Sequence, residues 1–113
     1  MKSKILALSK NEEFKNLLNK KRLSNKYVTI FFGILDNRMN KKLNISFVAK
    51  KKIGNAVKRN KIRRKLKAIV HKLLKKRGAI NRNYTYIVFG KSKAYEKNHK
   101  ILFPAMQKSF KKF

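Results

Sequence analysis

Between Ile62 and Leu73 the apolar residues fall at three- and four-residue intervals. Ile62, Leu66, Ile69, Val70 and Leu73 therefore share one stripe of a helix facing a core. Gly54-Asn55 ahead of this run supplies a turn and an N-cap, and Gly78 after Lys75-Lys76-Arg77 supplies a C′ position, so the spacing predicts a helix over about residues 55–77. Elsewhere the period is two. In residues 27–35 (YVTIFFGIL), Val28, Ile30, Phe32 and Ile34 form a uniformly apolar face for the core, while Tyr27, Thr29, Phe31 and Gly33 form a mixed face suited to the wall of a groove. Residues 36–42 (DNRMNKK) read as a turn into a second strand, 43–49, where Leu43, Ile45, Phe47 and Ala49 alternate with Asn44, Ser46 and Val48. The pair reads as a hairpin that sets small Asn44 and Ser46 beside Phe31 and Gly33. After the long helix, 81–83 form a turn and 84–89 a third strand.

The two ends are helical. Ser9-Lys10-Asn11-Glu12 has the S-x-x-E capping-box pattern, and the helix it opens runs through Phe14, Leu17 and Leu18 to about Lys21. Phe14 and Leu18, four apart, share a face. Residues 1–8 read as a loose basic lead-in, and 90–100 as a loop. Pro104 fits the first turn of a last helix reaching about Lys112, with Phe103, Met106 and Phe110 as packing residues. A helix packed on a sheet, without internal repeats, predicts a single-domain α+β sandwich over residues 1–113, and 42% hydrophobic residues suffice for its core.

Charge narrows the partner. Thirty-three Lys and Arg against four Asp and Glu give +29, an excess that repels itself unless a polyanion neutralises it. Nucleic acid is the expected partner. No membrane association is expected, since no apolar run of about 18 residues or signal-peptide pattern occurs and the basic residues are spread along the chain. The absence of cysteine removes disulfides and thiolate zinc sites and agrees with a cytoplasmic location. The long helix concentrates this charge. At about 100° per residue, Asn60, Arg63, Arg64, Lys67 and His71 fall in one arc beside the apolar stripe, and Lys58, Lys61, Lys65 and Lys72 on the opposite side.

Hydrolytic chemistry by the protein itself would need clustered carboxylates holding a metal, or an acid–base pair. Glu12 and Glu13 are accounted for by a helix N-terminus, Asp36 by a turn, and Glu96 stands alone among lysines. His71 and His99 lie on different elements with no partner at metal-ligand spacing, and read as polar or RNA-facing residues. No catalytic residue and no metal ligand is assigned.

The string Lys51-Lys52-Ile53-Gly54-Asn55-Ala56-Val57, followed by Arg59-Asn60-Lys61-Ile62-Arg63-Arg64, resembles the RNR signature of the bacterial ribonuclease P protein family. The likeness extends to Asn11-Glu12-Glu13-Phe14, the flanking strands and the C-terminal helix, over residues 6–112. Lys61 stands where the family usually has Arg, Arg63 where it usually has Lys, and Lys67 where Arg is common; the charge is kept, but not the bidentate geometry of Arg. The resemblance implies a four-stranded sheet in the order α-β-β-β-α-β-α, ribosomal protein S5 domain 2-like, with a left-handed β-α-β crossover where periodicity alone would favour a right-handed one. The fourth strand would be short, near residues 21–24. It implies a protein subunit that assists a catalytic RNA in removing the 5′ leader of precursor tRNA, with Mg²⁺ used by that RNA and no cofactor bound by the protein alone. The implied partners are the catalytic RNA and precursor tRNA, with no obligate protein partner.

On that resemblance, a ridge of Lys51, Lys52, Arg59, Asn60, Lys61, Arg63, Arg64 and Lys67 would neutralise phosphates of the catalytic RNA. A groove with Phe14, Leu18, Phe31 and Tyr86 would hold the single-stranded leader by stacking. The family has aromatics at both first-helix positions; Phe14 keeps one and Leu18 does not. A ribosomal protein would share the small size, basicity and lack of cysteine, and composition does not separate the two; the string from Lys51 to Arg64 does. A nucleoid-packing protein and a protein-only nuclease are weaker readings.

Overall fold

The apolar stripes and alternating segments assemble around one mixed sheet. The structure is a computed structural model that describes residues 5–6, 11–34, 43–76, 78–81 and 84–113. The expected capping box at Ser9, the turn at 36–42, Arg77, and Arg82-Asn83 of the expected turn lie outside the described residues, as does most of the lead-in at 1–8. In chain order the elements are β1 (Ile5–Leu6), α1 (Asn11–Leu18), β2 (Lys21–Ser24), β3 (Val28–Gly33), β4 (Leu43–Val48), a 3₁₀ turn (Lys51–Ile53), α2 (Ala56–Leu74), β5 (Thr85–Gly90), α3 (Ser92–Glu96) and α4 (His99–Phe110). The short strand expected at 21–24 is present as β2.

The sheet order is β1-β4-β5-β3-β2. β3 is antiparallel to both β2 and β5, whereas β4 runs parallel to β5 and to the two-residue β1. The predicted β3–β4 hairpin is therefore incorrect: β5 lies between the two, and Ser46 is separated from Phe31 by Ile87. Alternation reports which face a residue takes, not which strand is its neighbour. The buried run Thr85–Val88 marks β5 as a central strand covered on both faces. The β4–α2–β5 unit is the connection that a parallel pair requires.

One face of the sheet carries the main core. Register places Val28, Ile30 and Phe32 beside Gly90, Val88 and Tyr86, and these beside Phe47 and Ile45. Ile62, Leu66, Ile69, Val70 and Leu73 of α2 and Leu102, Met106 and Phe110 of α4 are buried in the same cluster. Phe103 is half-buried against it. At Gly90 an added Cβ would lie 2.4 Å from Ile62 Cγ2 and 3.1 Å from Leu66 Cδ1, so α2 rests directly on the strand backbone. The opposite face is partly covered by α1, where a Cβ on Gly33 would meet Leu17 and Lys20.

Several predicted boundaries shift, for identifiable reasons. α1 ends at Leu18 rather than near Lys21, because residues 21–24 pair with β3. β3 stops at Gly33, and Ile34, expected in the core, is 61% exposed. α2 begins after Asn55, whose side chain accepts from the Lys58 N–H, as the sequence predicted, but it ends at Leu74. Gly78 takes φ 74° and lies beyond the Lys75 cap, so it turns the chain instead of capping the helix. That turn brings Ala79 and Ile80 back onto the core. The expected loop at 90–100 contains α3 and the start of α4. Pro104 lies inside α4 rather than at its first position; it faces solvent, and lacking an N–H it leaves the Lys100 carbonyl without its helical donor. At the other edge, Asn25 Oδ1 accepts from the Tyr27 and Val28 N–H groups at 2.7 and 2.9 Å, while its Nδ2 donates to Ser109 Oγ at 2.9 Å, tying the β2–β3 turn to α4.

Candidate nucleic-acid interface

On the sheet face away from α2, beside α1, lies an open groove of about 950 Å³. Its walls are Leu18, Arg22, Thr29, Phe31, Phe89, Gly90, Lys91 and Ser92, closed at one end by Lys50, Lys52 and Ile53 of the segment entering α2. Phe31 and Phe89 meet edge to face at 5.4 Å and 74°, so each keeps part of a ring open to the groove. Lys50 Nζ stands 5.5 Å from the Phe89 centroid. Lys91 Nζ is held by Ser24 Oγ at 2.8 Å and the Asn25 carbonyl at 2.6 Å, which joins the groove wall to the β2–β3 turn. Among the described residues, four cationic and no acidic side chains line the site. Aromatic rings can stack with bases of any sequence while the rim cations take phosphates.

Of the predicted groove residues, Leu18 and Phe31 are in place, and Thr29 confirms the mixed face of β3. Phe14 belongs to α1, but its side chain lies outside the described residues. Tyr86 is not in the groove. It is fully buried on the core face, its hydroxyl donating to the Asn81 carbonyl at 2.7 Å and its ring meeting Phe110 at 5.2 Å and Phe113 at 5.4 Å. Phe89, three residues on and on the opposite face, supplies the groove's second aromatic. The sequence contains a signal for this exchange: Gly90 is where a helix approaches the strand closely, so its neighbour Phe89 must point the other way. Arg22, Lys50 and Lys91 were also missed, because their contribution depends on which strands are neighbours.

The predicted ridge separates into parts. Lys52 joins the groove rim; Lys51 is exposed on the same 3₁₀ turn. Asn60, Arg63, Arg64 and Lys67 share one solvent-facing flank of α2, with Arg63 Nη2 donating to Asn60 Oδ1. Asn60 thus orients an arginine. Arg59 is half-buried beside the stripe, and its Nε is buried with no hydrogen-bond partner among the described residues. Lys61 leaves this flank: its Nζ stands 5.3 Å from the Tyr95 ring centroid on the other side of the helix. His71 is half-buried on α2; His99 Nε2 lies 3.2 Å from Lys72 Nζ, with its ring 5.3 Å from Phe103. Among the described residues no three His, Cys, Asp or Glu gather as a metal site, and no helix is long and apolar enough to cross a membrane.

An α+β domain with an aromatic-floored cationic groove beside a basic helix has the build of a nucleic-acid-binding protein. Its relatives make the class specific. The family model described as Ribonuclease P matches residues 3–113, and the chain belongs to that family. It is 35% identical over 104 residues to the ribonuclease P protein component of Fusobacterium nucleatum, covering 89% of this chain and 86% of that one. The match to the Carboxydothermus hydrogenoformans ribonuclease P protein component is 40% over 68 residues, 58% of this chain and 57% of the relative. The Thermotoga maritima ribonuclease P protein shares the fold, with a TM-score of 0.77 at 20% identity over 96% of this chain and 97% of that one. The family consists of protein components of the ribonuclease P ribonucleoprotein, which acts in tRNA 5′ maturation and contains an RNA subunit.

Proposed function

We propose that this chain is a non-catalytic protein subunit that binds the catalytic RNA through the Asn60, Arg63, Arg64 and Lys67 flank of α2 and the 5′ leader of precursor tRNA through the Phe31–Phe89 groove. The observation that supports this division is the groove itself: two half-open rings surrounded by cations, on a different face from the arginines. Unpaired bases offer π-faces to the rings, whereas the folded RNA offers phosphates to a rigid, cation-lined helix. Magnesium serves the RNA, and the bond-breaking step belongs to it. The test is reconstitution with catalytic RNA and precursor tRNA at low magnesium. Stimulated leader removal is expected, and no stimulation would contradict the assignment.

A further inference from the structure

A second cluster of cations adjoins the groove. Ser92 lines it and also accepts from Lys58 Nζ at 3.4 Å, across from the first turns of α2. Beyond Ser92 stands Tyr95 of α3, with the ammonium groups of Lys58, Lys61 and Lys65 at 5.1, 5.3 and 5.7 Å from its ring centroid. None of these lysines meets a carboxylate among the described residues. Lys65 is internally satisfied: its Nζ donates to the Tyr95 and Lys97 carbonyls at 2.7 and 3.0 Å, with Ala94 O at 3.4 Å. Burial, and then the neighbouring Lys61, hold Lys65 below the ordinary lysine value, as crowding of like charges requires. Lys58 gives one of its three donors to Ser92, and Lys61 gives none among the described residues. The ring's π-face attracts these cations and fixes their direction, but it leaves their charge and their N–H groups unused.

We infer that Lys58 and Lys61, oriented by Tyr95, extend the groove and bind backbone phosphates of the same single strand where it leaves past Ser92. This rests on the groove holding an unpaired strand. Tyr95 is a positioning residue, and Lys65 anchors α3 to α2. The occupant is one polyanion continuing from the aromatic floor, because Ser92 belongs to both the groove wall and the lysine cluster.

The test uses the reconstituted holoenzyme and precursor tRNAs whose leaders grow one nucleotide at a time, with Lys58→Gln, Tyr95→Leu and Tyr95→Phe; Lys61 stays intact because it also belongs to the family motif. Lys58→Gln should match wild type for leaders that end within the groove and stop gaining affinity sooner as they lengthen. Its salt slope with the longest leader should be lower by about 0.7, the value for one single-strand phosphate contact. Tyr95→Leu should behave likewise, and Tyr95→Phe, which keeps the ring, should restore the wild-type curve. Thermal unfolding of each variant in sulfate separates a lost contact from a lost fold. The inference is overturned if Lys58→Gln follows the wild-type curve at every length, or weakens mature tRNA and all leaders by one common factor. If the unsubstituted protein adds nothing to RNA alone at any length, the groove reading itself fails, and that result needs no variant to be seen.

Discussion

The arginine flank of α2 and the groove on the sheet carry charge of the same sign, yet they are built differently. Arg63, Arg64 and Lys67 project from a nineteen-residue helix whose other side is locked into the core, with no aromatic ring among them. In the groove the cations Arg22, Lys50 and Lys52 surround Phe31 and Phe89, and the walls come from several separate segments. A row of fixed charges on a rigid rod suits the phosphates of an RNA that is already folded. Rings between charges suit a strand whose bases are unpaired. On the proposed assignment, what distinguishes the two surfaces of this small basic protein is therefore the placement of its aromatics rather than its net charge.

The largest expected effect comes from erasing both surfaces at once. Tyr86→Ala removes a fully buried ring from the core face of β5 and should cost about 3–5 kcal/mol, comparable to other large aromatic truncations. Denaturant unfolding should show this loss, with both binding activities falling together, whereas Phe89→Ala on the other face of the same strand should unfold near the wild-type midpoint. Next in size is Arg64→Ala, which should weaken binding of the catalytic RNA by about 1.5–3 kcal/mol and lower its salt slope by about 1, leaving the leader-dependent gain intact. Titrations at several salt concentrations would show it. Phe89→Ala should do the reverse, costing about 1–3 kcal/mol of precursor affinity for one stacked base while catalytic-RNA binding holds. Equal losses in both assays from both substitutions would merge the two surfaces into one. The smallest effect concerns the free protein: with +29 and no polyanion, it should gain structure or melting temperature with sulfate or pyrophosphate, by about 1.4 kcal/mol at ten times the dissociation constant. Circular dichroism unchanged by millimolar anion would contradict this.

Much of the architecture was legible because it depends on local spacing. The α2 stripe, its Asn55 cap and the mixed face of β3 follow from residues within a few positions of one another, whereas the short β2 was implied only by the family resemblance. The β3–β4 hairpin was misread because β5, which begins only at Thr85 after the whole of α2, inserts between them, and no local period encodes a strand order. Tyr86 was misassigned for a related reason: an alternating strand has two apolar faces when it is central, and only the close approach of Ile62 to Gly90 decides which face the helix takes. Lys61 was read with its motif neighbours, yet the helix wheel already set it on the side where α3 now places Tyr95. Phe89, the groove's second aromatic, became recognisable once that strand parity was fixed.

The central claim, that a groove with Phe31 and Phe89 on its floor grips the unpaired leader while the arginine flank serves the folded RNA, is tested most directly by affinity against leader length, measured for RNA alone and for the complex. The account predicts that the protein leaves mature tRNA binding nearly unchanged, steepens the gain over the first few leader nucleotides, and lets it level off once the groove is filled. Parallel curves for RNA alone and for the complex, offset by a constant at every length, would remove leader binding from this protein and contradict the account.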